Sequence, residues 1–212
     1  MKFLLLWLLS YFPAAGPPAP VRVTFSPITK AAYLAALKAA IATKPAMTFP
    51  LKKVRGRIVI PTTKGRVVFK DNNVSEESPD WEKYTYLGYS PQLKSHLIEH
   101  SHYEWISDIL LEGNGRQMEV FDRPAYSPDF KIFVTISAGI EYSLFSNSIR
   151  LYRFENHHWR QVWELEPSVE PATWEPDEIH WLSNSTLLLK KKMWTGLNPG
   201  STFTYDKLMI QP

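Results

Sequence analysis

Hydrophobic and polar positions change rhythm twice along this chain of 212 residues. Behind Lys2, Phe3–Leu9 is one unbroken apolar run. Ile28–Ala42 then has a helical period: it contains no Gly or Pro, is rich in Ala, and sets Leu34, Leu37 and Ile41 on one face. Ser26-Pro27 supplies an N-cap followed by proline at the first helical position, and Pro45 stops the helix. A helix this Ala-rich is marginal alone, so it is expected to dock on the remainder of the chain.

From Arg57 the period drops to two. Arg57–Ile60 and Arg66–Lys70 flank the turn Pro61-Thr-Thr-Lys-Gly65, and Tyr84, Tyr86 and Gly88 alternate with Thr85 and Leu87. Further strands are expected at Ser95–Ser101, Trp105–Leu111, Arg116–Phe121, Ile132–Ser137, Ser148–Phe154, Trp159–Leu165, Ile179–Leu182, Thr186–Lys191 and Thr202–Ile210. Gly113-Asn-Gly115 and Asn156-His-His158 are hairpin turns between such strands. Trp159 and Trp163, four apart on one strand, are expected on the same face.

Three lead-ins punctuate the pattern: Tyr89-Ser-Pro-Gln-Leu-Lys94, Tyr126-Ser-Pro-Asp-Phe-Lys131 and Trp174-Glu-Pro-Asp-Glu178. Proline presets φ for a type I turn and Asp can cap it. Tyr126–Asp129 with Lys131, followed by Ser148-Ile-Arg-Leu-Tyr152, resembles a blade of a WD-repeat or Tol-type β-propeller, with weaker copies on either side. Phe130 stands where that pattern has glycine, and the Gly-His and Trp-Asp dipeptides of WD repeats are missing. The resemblance implies propeller-blade-like hairpins, about three of them, whereas closed rings have roughly four to eight blades. The expected fold is mostly β, either a partial propeller or a twisted antiparallel sandwich, with one short helix. Residues 1–15 are expected to be a signal peptide, 16–55 a Pro-rich basic arm bearing the helix at about 28–42, and 56–212 an all-β domain.

Charge divides the chain. Residues 1–70 hold 12 Lys or Arg and no acid; residues 71–212 hold 12 Lys or Arg and 21 acids, so +12 and −9 give the net +3. Lys44, Lys52, Lys53, Arg55, Arg57, Lys64 and Arg66 therefore define a patch for an anionic partner, unless the segment packs beside the acidic domain. Lys2, the short apolar run and the small residues Ala14, Ala15 and Gly16 read as an export signal, because the run is shorter than the about 20 residues of a spanning helix. A secreted or periplasmic chain meets anionic lipid or polysaccharide rather than nucleic acid. With no Cys there is no disulfide, thiolate metal site, Cys nucleophile or lipid-attachment Cys.

Among residues that could carry chemistry, His96, Glu99, His100, His102 and Glu104 come first. His-x-x-Glu-His matches the spacing of inverted zincin metalloproteases, but that chemistry needs a helix. On a strand His96, His100, His102 and Glu104 share a face and Glu99 points away; these four are the metal candidates. Trp81, Trp105, Trp159, Trp163, Trp174, Trp181 and Trp194 fit either sheet cores or a sugar-stacking surface. Glu164, Glu166, Glu170, Glu175, Asp177 and Glu178 read as a solvated acidic loop, and Lys190-Lys-Lys192 as a soluble strand edge. No Gly-x-Ser-x-Gly elbow or Gly-rich phosphate loop occurs. The expected function is a non-catalytic module binding a protein or glycan at the cell envelope, without a cofactor. The alternative is a secreted hydrolase, glycan-directed or metal-dependent through His96–Glu104. A homodimer paired at sheet edges is a third expectation.

Overall fold

The computed structural model describes residues 20–72, 74–138, 146–167, 173–194 and 202–211; the expected signal peptide lies outside them. The chain is mostly antiparallel β with one short helix. Strands β2 (Arg57–Thr62) and β3 (Gly65–Lys70) form a two-stranded hairpin. Strands β4 (Glu82–Ser90), β5 (Ser95–His102), β6 (Ile106–Glu112) and β7 (Gln117–Phe121) form a four-stranded meander. A second meander contains β8 (Ala125–Tyr126), β9 (Ile132–Ser137), β10 (Ser148–Glu155) and β11 (His158–Leu165). The last sheet has β12 (Trp174–Ser183), β13 (Thr186–Met193) and β14 (Thr202–Gln211), with β1 (Arg22–Ile28) as its fourth strand beside β14.

The sheets stack in chain order through three apolar layers. Ile58, Ile60 and Phe69 of the hairpin meet Ile98, Ile109 and Leu111 of the first meander. On that meander's other face, Leu93, Leu97, Leu110 and Val120 meet Tyr126, Phe133, Tyr152 and Trp159. Val134, Ile149 and Leu151 then meet Trp181, Leu187, Leu189, Leu208 and Ile210 of the last sheet, with Val21. Layers on both faces explain why Ile109-Leu-Leu111 is a continuous apolar run. Two indoles fasten adjacent sheets: Trp159 Nε1 donates to the Leu93 carbonyl at 3.1 Å, and Trp181 Nε1 to that of Ala125 at 2.9 Å.

The N-terminal segment takes part in this stack. Val23 and Phe25 pack into the last core layer, and Pro27 is tolerated because β1 is an edge strand. Ser26-Pro27 thus lies within a strand and caps no helix. The helix α1 is Lys30–Leu37, capped by Thr29, whose hydroxyl accepts from Ala32 N at 3.1 Å. Its docking residue is Tyr33, buried against Tyr205 with ring centroids 4.6 Å apart, while Leu34 and Ile41 of the expected apolar face are exposed.

Turn chemistry also departs from expectation at one of the three lead-ins. Ser90 and Ser127 begin the β4–β5 and β8–β9 turns; Ser127 Oγ accepts from Ile132 N at 3.0 Å and donates to Asp129 Oδ1 at 2.8 Å. Phe130 has φ 57, the left-handed conformation that glycine would take most easily. In the last sheet, Pro176 is inside β12 at a bulge, and the corresponding turn is Ser183-Asn184-Ser185. Asn184 Oδ1 accepts from Asp129 N at 3.1 Å, tying that turn to its neighbour. A further bulge, at Val162 of β11 opposite Leu151 and Tyr152, sends Trp159 and Trp163 to different core layers rather than one face.

Candidate ligand cleft between the meanders

The segment between α1 and β2 runs along edge strands of two sheets, β12 and β4. Ile41 N donates to the Trp181 carbonyl at 2.8 Å, and Thr48 and Tyr89 exchange both backbone hydrogen bonds, at 2.9 and 2.8 Å. The close approach at β4 rests on Gly88, which sits at a bulge with φ 120; a Cβ there would lie 2.7 Å from the Thr48 carbonyl oxygen. Holding this segment down places Lys44, Pro45 and Met47 above the gap between the two meanders.

Beneath it is a cleft of about 430 Å³. Leu87, Leu97, Pro124 and Tyr126 give it apolar walls, and Glu99, Asp108 and Arg123 add polar groups. Glu99, Asp108 and Arg123 also line an adjoining pocket of about 120 Å³ with Ile106, Ser107 and Asp122. Glu99 on β5 and Asp108 on β6 are directly opposed in the register, so two carboxylates share one face. Among the described residues neither acid, nor Arg123, forms an ion pair. Burial raises the Asp108 pKa above the usual carboxylate value, nearby Glu99 adds to the rise, and Arg123 opposes it. Burial likewise raises Asp122, against a Ser137 hydrogen bond and the Arg150 charge. Asp122 has φ 68, uncommon for a residue with a side chain. The Tyr126 hydroxyl is raised by burial and by Asp108. Perturbed acids in a walled cleft mark a binding or reactive site more often than an incidental surface.

The histidines lie on the opposite face of the same sheet. His96, His100 and His102 are on strand β5, so the one-turn helical spacing required by a zincin does not exist here. His100 is buried, stacked on Tyr84 at 4.4 Å, and its Nδ1 is 3.0 Å from Glu119 Oε1, which also accepts from Ser107 Oγ at 2.6 Å. His102 stacks on Trp105 at 4.8 Å, and His96 Nδ1 lies 2.9 Å from the Tyr86 hydroxyl. Burial lowers the His96 pKa. Glu104 is exposed in the β5–β6 bend, off the strand face it was expected to share. Among the described residues no three His, Asp or Glu side chains converge as a metal site.

The other candidates disperse. Glu164 and Glu166 meet Arg150, Glu175 meets Lys192, and Asp177 and Glu178 meet Lys190; Glu170 lies outside the described residues. Those acids are answered within their own sheets and not by the basic N-terminal segment. Lys190-Lys-Lys192 runs along β13, an interior strand, and Lys191 pairs with buried Asp206, so it is no soluble edge. Trp159 and Trp181 are core residues, while Trp194 is exposed.

The sequence pattern sets Glu99 aside as pointing away from the histidines and does not single out Asp108. The available signal was an acid alternating with Leu97 and another with Leu110, on face positions that otherwise enter the core. No family model, curated protein or solved structure matches this chain.

Proposed function

We propose that the protein is a non-catalytic binding module whose ligand site is the cleft over Glu99 and Asp108. The observation that carries this reading is the opposed carboxylate pair set in mostly apolar walls. Such a pair favours a ligand that brings positive charge, and Leu87, Leu97, Met47 and Tyr126 favour one with an apolar body. The ligand class is a partner protein's segment in which Lys or Arg neighbours an apolar side chain. Met1–Ala15 serves as an export signal in this reading, so the partner is met outside the cytoplasm. The His96–Glu104 stretch acts as packing, because each ring is occupied by an aromatic neighbour.

The test is fluorescence polarisation with short labelled peptides, each holding Lys or Arg beside Leu or Phe, against the same peptides carrying Glu. Saturable binding restricted to the basic set supports the reading. Equal binding by both sets, or by neither, refutes it.

A further inference from the structure

The hairpin β2–β3 is apolar on both faces. Ile58, Ile60 and Phe69 enter the core, yet Val59 and Val68 are opposed on the outward face and are 40% and 52% exposed. Register fixes their surroundings. On the outward face Arg57 is opposite Lys70, and Pro61 opposite Arg66, one pair at each end of the valine pair. All six positions are exposed and none is acidic. Among the described residues these three cations form no ion pair, in contrast to Lys53, which joins Asp71 and the Tyr84 carbonyl. Directly opposed like charges weaken a two-stranded sheet, so Arg57 and Lys70 are not explained by hairpin stability. A partner carrying negative charge accounts for both the cations and the uncovered valines.

We propose that this face docks on an anionic lipid bilayer. Cations at both ends of a small apolar centre suit a charged interface, since Arg and Lys stems lie along apolar surface while their heads reach phosphate. Cations near such a surface are attracted to it, an attraction that salt screens. This proposal is independent of the cleft, which lies across the first meander from the hairpin.

The experiment is co-sedimentation of the full chain with vesicles of phosphatidylcholine alone or phosphatidylcholine mixed with phosphatidylglycerol, with heparin as a soluble polyanion. Binding to the mixed vesicles alone, weakening as salt rises, is expected. Arg57→Gln with Lys70→Gln should weaken it by roughly tenfold or more. Val59→Ser with Val68→Ser leaves charge unchanged and should also weaken it measurably. Thermal unfolding reports whether each variant is folded, and single substitutions replace any double variant that is not. Heparin binding without vesicle binding, or vesicle binding indifferent to the valines, overturns the proposal. So does a dimer by light scattering that the Val59→Ser, Val68→Ser variant converts to monomer, because the face would then be covered by a second copy.

Discussion

Glu99 and Asp108 face one another across β5 and β6, a like-charge pair directly opposed in register. Such a pair costs stability of about 0.2–1 kcal/mol relative to a neutral one. Glu99→Gln or Asp108→Asn should therefore stabilise the empty protein by that amount in urea unfolding. Loss of stability on both substitutions would show that the two acids are needed by the fold itself.

The raised Asp108 and Asp122 pKa values set the sign of a pH effect. A carboxyl whose folded pKa exceeds its unfolded value binds protons more tightly when folded. Its contribution is fully favourable below the unfolded value, near 3.8, and is lost as pH rises through the folded pKa. Asp108→Asn should flatten the stability profile above that value, measured by thermal unfolding at a series of pH values. A profile unchanged by the substitution would contradict the assignment.

Gly88 couples the crossing segment to the cleft. Gly88→Ala adds a Cβ at a positive φ and 2.7 Å from the Thr48 carbonyl oxygen, a cost of about 2 kcal/mol. Chemical denaturation should show it, and peptide binding in the cleft should weaken with it, because Met47 and Lys44 would move. Full binding in a destabilised Gly88→Ala protein would mean that the roof is dispensable.

Much of this architecture was legible in local pattern, and the reasons for the exceptions are physical. Alternation and turn residues located the hairpin and meander strands to within a few residues, since period two and Ser-Pro or Asn-Gly turns are local properties. The pairing of β1 with β14 joins the two ends of the chain and leaves no local trace beyond Val23 and Phe25 alternating with polar residues. Proline at 27 read as a helix start because its tolerance at a strand edge depends on having no neighbour on that side. Bulges beside Pro176 on β12 and at Val162 on β11 break the count that assigns faces. The cleft was missed for a related reason: Glu99 was judged against the histidines on its own strand, while its partner Asp108 is set by cross-strand register.

Asp206 on β14 is 2% exposed and pairs with Lys191 on β13. Removing one member leaves the other charge largely buried and unpaired. Asp206→Ala should cost about 3–5 kcal/mol in equilibrium unfolding, whereas Asp129→Ala, which loses one turn cap, should cost about 1 kcal/mol and leave binding intact. Equal costs for the two would contradict the buried-pair assignment.

The most direct measurement is isothermal titration of a basic, apolar-flanked peptide into wild type, Glu99→Gln and Asp108→Asn, each verified as folded. Wild type should bind with one-to-one stoichiometry, and each variant should bind roughly tenfold more weakly, as loss of a charge-assisted contact predicts. Identical affinity in all three proteins would contradict the assignment of the cleft as the binding site.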